Sequence, residues 1–274
     1  MFKKIAIVGT GLIGGSLALN IKKKRIALEV VGVSRHKSSL AKARSLGAID
    51  KGSQGLGIIK GADLIILATP VNQILNLAEK ISRIAGDDAI VTDVGSTKQE
   101  IVARLENIFP NFVGSHPLAG SEKRSIANAD PEIFEGTICI LTPTRKTKSR
   151  ALNRIKEFWR RVGVTTINLT PESHDMVLSV TSHLPHIAAF SLIQSVPVKY
   201  FRFASGGLKD TTRIAASDTE LWLDVFLSNR NNTLKAIAQL QKNLARVKSA
   251  LKNKDRKSLA KILKGAKVKR EKLQ

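Results

Sequence analysis

The sequence predicts an α/β Rossmann-type doubly wound sheet followed by an all-α helical dimerisation domain. Three observations predict it. A glycine-rich turn, Gly9-Thr10-Gly11-Leu12-Ile13-Gly14, follows a first apolar run. Short apolar runs then alternate with helix-length amphipathic segments as far as residue 170, which implies crossover units and a largely parallel sheet. Beyond that point only segments of helical period remain.

Strands are expected over 4–8, 30–34, 63–68, 89–93, 111–114, 137–141 and 164–168, with helices over 13–23, 38–45, 71–84, 98–107 and 148–161. Thr170-Pro171 reads as an N-cap followed by proline at the first helical position. Helices then follow over 172–195, 211–227, 229–252 and 256–264. The expected domains are residues 1–170 and 171–274. The apolar periodicity from Leu221 to Leu251 exceeds what one small helical domain buries, so a homodimer through the helical domain is expected.

With 43% hydrophobic and 24% charged residues, the 274-residue chain has the composition of a soluble globular protein. The single cysteine, Cys139, excludes a disulfide framework and a four-thiolate metal site, and fits a reducing, cytoplasmic location. Lys3-Lys4 and the apolar run after them mimic a secretory signal, but the glycines at 9, 11, 14 and 15 fit a phosphate-binding turn better. No apolar run is seen approaching the roughly 20 residues that span a bilayer, so no membrane partner is expected. The net charge of +23 is concentrated between Lys235 and Lys272, where only Asp255 and Glu271 oppose it. That stretch reads as a solvated lysine-rich helical face. No aromatic residue interleaves it to stack on bases, so nucleic acid is not expected as a partner.

In the glycine turn, Gly9 permits the tight bend, Gly11 lets a pyrophosphate approach the backbone, and Gly14 lets helix and strand pack closely. Leu12 and Ile13 open the helix whose free N–H groups would face the phosphates. An NAD site usually carries a carboxylate at the end of the second strand. Here stand Ser34, Arg35 and His36, which suit the 2′-phosphate of NADP, so NADP is the preferred cofactor and NAD the alternative. An exposed basic turn in a basic protein is the competing account of these residues. Thr69-Pro70 ends another strand and should pass close to the cofactor.

Four further motifs follow in order: Asp93-Val94-Gly95-Ser96-Thr97-Lys98, Ser115-His116-Pro117-Leu118-Ala119-Gly120, Ser182-His183-Leu184-Pro185-His186, and Gly206-Gly207-Leu208-Lys209-Asp210-Thr211-Thr212-Arg213. Together, across essentially the whole chain, they closely resemble the prephenate/arogenate dehydrogenase family in its short, monofunctional form. The Ser34-Arg35 turn is similar to that of NADP-using arogenate dehydrogenases, whereas the second histidine, His186, is more like that of prephenate-using members.

The resemblance implies oxidative decarboxylation of a small anionic cyclohexadienol on the route to tyrosine. Prephenate is the first reading and arogenate the alternative. A hydroxy-acid dehydrogenase or a non-catalytic NADP-binding protein stands further off. His116, an imidazole that can be neutral near pH 7 on a turn stiffened by Pro117, takes or polarises the hydroxyl proton. Ser96 bonds the substrate hydroxyl and the nicotinamide side of the site, or caps the following helix. Arg213 clamps a carboxylate, or pairs with Asp210, Asp218 or Glu220. His186 reaches the substrate and His183 supports the cleft, although a helical histidine pair also serves in cores. Glu122, Lys209 and Asp210 gate or orient at the pocket mouth. Trp222 packs in the helical core or dimer interface. Five histidines and one cysteine offer no third metal ligand at recognisable spacing, so no metal is expected.

Overall fold

The computed structural model describes residues 1–120 and 125–273. Its sheet has eight strands: β1 (Phe2–Val8), β2 (Ala27–Val33), β3 (Lys51–Ser53), β4 (Leu64–Leu67), β5 (Ile90–Asp93), β6 (Phe112–Pro117), β7 (Ile138–Thr142) and β8 (Thr165–Asn168). They lie in the order β3-β2-β1-β4-β5-β6-β7-β8, and every pairing is parallel except β6 with β7. The chain reverses its direction of winding between β1 and β4, which creates the crevice where ligands of such sheets bind.

The central strands are apolar on both faces because helices cover both. Ile5 and Ile7 of β1 pack with Leu17, Ile21, Phe158 and Trp159, whereas Ala6 and Val8 pack with Ile65, Leu67, Ile74 and Ile101. The two-residue period of the strand thus feeds two separate cores. Helices α1 (Leu12–Lys23) and α5 (Ser149–Val162) contribute to the first core, and α3 (Val71–Ser82) and α4 (Gln99–Leu105) to the second. Helix α2 (Lys37–Ser45) follows β2. Spacing explains α3, where Val71, Ile74, Leu75, Ala78 and Ile81 make one buried stripe.

Asp93, at the end of β5, is a fully buried anchor. Its carboxylate accepts from Gly95 N (2.8 Å) and Ser115 N (3.2 Å) and pairs with the equally buried Lys98 ammonium. One side chain therefore fixes the loop after β5 and the end of β6 together.

After β8, Thr170 caps α6 (Pro171–Leu178), its hydroxyl accepting from Ser173 N at 3.1 Å. A π-helical turn (Ser179–His183) joins α6 to α7 (Leu184–Gln194). The expected helix over 211–227 is broken into α8 (Gly206–Thr212), a 3₁₀ turn (Arg213–Ala216) and α9 (Thr219–Ser228). The break has a cause: Asp218 starts a new helix by accepting from Leu221 N at 2.8 Å. Helix α9 packs on α3, where Asn72 bonds Asp224, and Thr97 and Ser228 share a hydroxyl contact of 2.8 Å.

The compact unit that carries the sheet runs Met1–Asn229, and a second begins at Arg230. The second unit consists of α10 (Arg230–Lys252) and α11 (Arg256–Glu271), the latter longer than expected and capped by Asp255. Leu244 and Leu251 of α10 and Leu263 of α11 are exposed. One expectation needs correction. The run Pro171–Gln194 is 24 residues long and is apolar enough to cross a membrane by length and composition alone. Polar residues interrupt the run, and His174, Asp175 and His183 are buried within the sheet-bearing unit.

Replacing Lys98 by Met should leave the Asp93 carboxylate as a buried charge without its cation. We expect the unfolding free energy in urea to fall by about 3–5 kcal/mol. A change within about 0.5 kcal/mol, the size of an ordinary surface substitution, would show that the pair carries no weight.

Candidate active site

The cofactor cradle lies at the C-terminal ends of β1, β2 and β4. Gly9 has φ +107°, and a Cβ there would sit 2.5 Å from the Ala68 carbonyl oxygen. A Cβ on Gly14 would come within 1.9 Å of the Gly9 carbonyl oxygen, so strand turn and helix touch backbone to backbone. By contrast, a Cβ on Gly11 would meet open space, on the side from which a ligand would approach. Helix α1 begins at Leu12 and Ile13, with no side chain capping its first turn. The Thr10 and Thr69 hydroxyls beside this turn are buried without a hydrogen-bond partner. Free N–H groups, a shaped glycine surface and two orphaned hydroxyls fit a dinucleotide pyrophosphate. Pro70 is exposed and leads into α3.

Ser34 is tied to β3, its N–H donating to the Ser53 carbonyl (3.3 Å), and its hydroxyl accepts from His36 N (3.3 Å). The Arg35 carbonyl accepts from Gln54 Nε2 (2.7 Å), which leaves the exposed Arg35 and His36 side chains at the rim of the cradle.

A second group of side chains gathers where β5 and β6 meet α6. His116 Nδ1 lies 2.8 Å from His174 Nε2, and His174 Nδ1 lies 2.7 Å from Asp175 Oδ1. Asp175 also accepts from Lys98 N (2.7 Å) and Gln99 N (3.0 Å), and so caps α4 from a distant element. This settles one alternative: Ser96 does not cap α4, and it sits half-buried in the loop after β5. Asn229 Nδ2 donates to the Asp175 carbonyl (2.7 Å) and contacts His183 Nδ1 (3.2 Å).

His183 and His186 flank Trp222. His186 stacks on the indole with centroids 3.6 Å apart, and His183 meets it edge-on at 6.0 Å. Trp222 thus packs within the helical region, continuing to Phe226 at 5.1 Å. His186 Nδ1 donates to the Ser182 carbonyl (3.0 Å). Arg213, at the start of its 3₁₀ turn, lies close enough for its charge to bear on His186. Lys209 and Asp210 are exposed on α8, and Glu122 lies outside the described residues.

His116, His174, His183 and His186 are held neutral. Burial, reinforced by His174, Lys98 and His183, drives the His116 pKa well below 6.5. Burial likewise lowers His174 against the opposing pull of Asp175, and takes His183 to about 4. Burial also lowers His186, with Arg213 adding to it against the Ser182 carbonyl. A neutral imidazole on β6, tied through Asp93 to the loop after β5 that carries the half-buried Ser96, can accept the proton of a substrate hydroxyl while hydride leaves the carbon that bears it.

Sequence reasoning did not single out His174, Asp175, Asn229, Thr10, Asp93 or Lys98. Thr10 lies within the glycine turn, and Asp93 and Lys98 within the motif that carries Ser96. The adjacent His174-Asp175 pair in the first turns of a capped helix was the available signal for the chain of contacts that ends on His116.

Fold and site together define a Rossmann-type dehydrogenase. A family profile described as prephenate dehydrogenase, nucleotide-binding domain, matches residues 17–168, and one described as prephenate dehydrogenase, dimerization domain, matches 170–265. Prephenate dehydrogenase of Bacillus subtilis is 35% identical over 96% of this chain and 74% of its own length. The crystal structure of prephenate dehydrogenase from A. aeolicus, in complex with hydroxyphenyl propionate and NAD+, superposes with a TM-score of 0.95 at 37% identity. It covers 100% of this chain and 99% of its own. Synechocystis arogenate dehydrogenase gives a TM-score of 0.85 at 30% identity, covering 99% of this chain and 100% of its own. The chain belongs to the prephenate/arogenate dehydrogenase family and is an oxidoreductase.

His183 binds its proton at about pH 4 when folded and 6.5 in its reference state, so the unfolded chain protonates first on acidification. Its contribution to stability is therefore complete above pH 6.5 and is lost as the pH falls toward 4, by about 3 kcal/mol. His116 and His174 shift in the same direction. Urea unfolding at pH 7.5 and 4.0 should show the loss, and equal stabilities would contradict the neutral, buried assignment.

Proposed function

We propose that this enzyme oxidatively decarboxylates prephenate to 4-hydroxyphenylpyruvate, with NADP preferred and NAD the alternative. The observation that carries the reading is the neutral His116 ring, bonded to His174, at the end of β6, where Asp93 ties that strand to the loop carrying Ser96. When bound, the nicotinamide supplies the hydride acceptor. His116 draws the hydrogen of the ring hydroxyl, raising electron density on the oxygen as its carbon loses hydride. The ring carboxylate leaves as carbon dioxide, the ring becomes aromatic, and the hydroxyl hydrogen returns to the phenol product. Ser96 orients the hydroxyl and the nicotinamide side, and Arg213 holds a carboxylate as a planar fork. His186 contacts the substrate and His183 supports it from behind. Glu122, Lys209 and Asp210 orient at the mouth.

The cation of Arg213 next to a neutral His186 favours a keto-acid side chain over one bearing an ammonium group, which supports prephenate. Arogenate is the second reading, supported by the Ser34-Arg35 turn and by the arogenate dehydrogenase among the similar structures. For the cofactor, Arg35 and Ser34 at the rim suit a 2′-phosphate, with Gly9, Gly11, Leu12, Ile13, Gly14, Thr69 and Pro70 forming the wall. We further propose a division of labour near residue 170 and a homodimer through the helical region. The dimer is supported by the name of the second family profile and by the exposed leucines 221, 223, 227, 234, 244 and 251.

Steady-state assays with prephenate and arogenate, each against NAD and NADP, test the assignment directly. His116→Ala should lower turnover by roughly 10²–10⁴-fold while dinucleotide binding survives. Unchanged turnover would overturn the mechanism. Arg35→Asp should raise KM for NADP by roughly 10- to 100-fold more than KM for NAD. An equal effect on both would refute the cofactor preference.

A further inference from the structure

We propose that His174 and Asp175 are positioning residues that fix the tautomer of His116, leaving its Nε2 as the proton-accepting atom. This rests on the reading of His116 as the base, and it assigns which of its two nitrogens does the work and what decides that.

The logic starts at Asp175. Its side chain is buried, and its two oxygens face three donors: Lys98 N, Gln99 N and His174 Nδ1. Burial opposes its ionisation, but the bond from His174 and those from the α4 backbone hold its carboxyl below the usual range. An ionised carboxylate only accepts, so the hydrogen on the 2.7 Å contact belongs to His174 Nδ1. Because His174 is neutral, its Nε2 then carries a lone pair. The 2.8 Å contact from His174 Nε2 to His116 Nδ1 consequently needs a hydrogen on His116 Nδ1. That leaves His116 Nε2 bare. When the substrate hydroxyl passes its hydrogen toward Nε2, the O–H bond lengthens as the N–H bond forms. The positive charge that grows on the ring is shared through His174 toward the Asp175 carboxylate. Among the described residues, the ionisable groups facing His116 are Lys98 ahead of α4, His174 from α6, His183 from the π turn and Cys139 from β7, with Asp93 behind Lys98 and Asp175 behind His174. Lys98 is already paired with Asp93, which leaves Asp175 as the carboxylate in line with the two rings.

Asp175→Asn is the decisive variant. Giving up the bond from Lys98 N, an amide can keep its oxygen on Gln99 N and turn its NH₂ toward His174 Nδ1. That reverses both rings and puts a hydrogen on His116 Nε2. The same carboxylate-to-amide change in a serine-protease triad costs roughly 10⁴-fold in kcat through the wrong tautomer. Here kcat should fall by roughly 10²–10⁴-fold with little change in either KM. Nitrogen-15 spectra of histidine-labelled protein read the tautomer itself. Five histidines make assignment practicable, the His116 signals being those missing from His116→Ala. Wild type should show hydrogen on Nδ1 of His116, and Asp175→Asn should show it on Nε2. Hydrogen on Nε2 in wild type would overturn the proposal, and that spectrum decides even if the variant does not fold. Loss of turnover in Asp175→Asn with the tautomer unchanged would also overturn it, reducing Asp175 to a helix cap. Full turnover in His116→Ala would instead remove the underlying reading of the base.

Discussion

The buried carboxylate of Asp93 governs the geometry on which catalysis depends. A charge inside a protein survives only with its bonds satisfied, and Asp93 draws its bonds from three places: Gly95, Ser115 and Lys98. Those partners flank the two residues assigned to chemistry, Ser96 and His116. The loop after β5 and the end of β6 cannot move apart without exposing an unpaired charge to an apolar core. Ala- and Ile-rich packing gives the sheet its stability, but this polar anchor gives its carboxyl edge a fixed shape.

Asp175 does the corresponding work from the helical side. Its carboxylate ends the helix α4 that leads away from Ser96, while its backbone carbonyl and its neighbour His174 join Asn229 and His116. Helix α6 and the turn after it are therefore fastened to the sheet by polar contacts beside His116. The surrounding histidines stay neutral because burial outweighs the pull of the carboxylates near them, Asp175 and Asp93. Proton-accepting capacity and rigidity come from the same set of bonds.

Much of this was legible in the sequence because it depends on local pattern. The glycine spacing at 9, 11 and 14 marks one strand-to-helix turn, and the apolar stripe of α3 and the Thr170-Pro171 cap announce themselves within a few residues. The three-residue β3 was too short to show a pattern. The site was legible only in part. His116 and Ser96 sit at strand ends, where such sheets bind ligands, but the bond between His116 and His174 spans 58 residues and that between Lys98 and Asp175 spans 77. No spacing rule connects them. Ser96 was equally suited to capping α4, and only the folded chain shows that a residue from α6 holds that position. The break before α9 was hidden for a similar reason, since Asp218 reads as one more polar residue until its carboxylate is seen on Leu221 N.

The π-helical turn at Ser179–His183 lies between His174-Asp175 and His186. Pro185 lacks an N–H, so the helix here can accommodate an extra residue that a regular α-helix would not. One residue corresponds to about 100° of rotation around a helix axis. The bulge thus acts as an indexing step: it lets the upstream turns address the sheet while the downstream turns present His186 to Trp222 and Arg213. Removing a single residue from this stretch would keep the composition, the apolar character and every named side chain, yet swing the lower half of the helix away from its partners. Length across 171–194 is accordingly as constrained as identity.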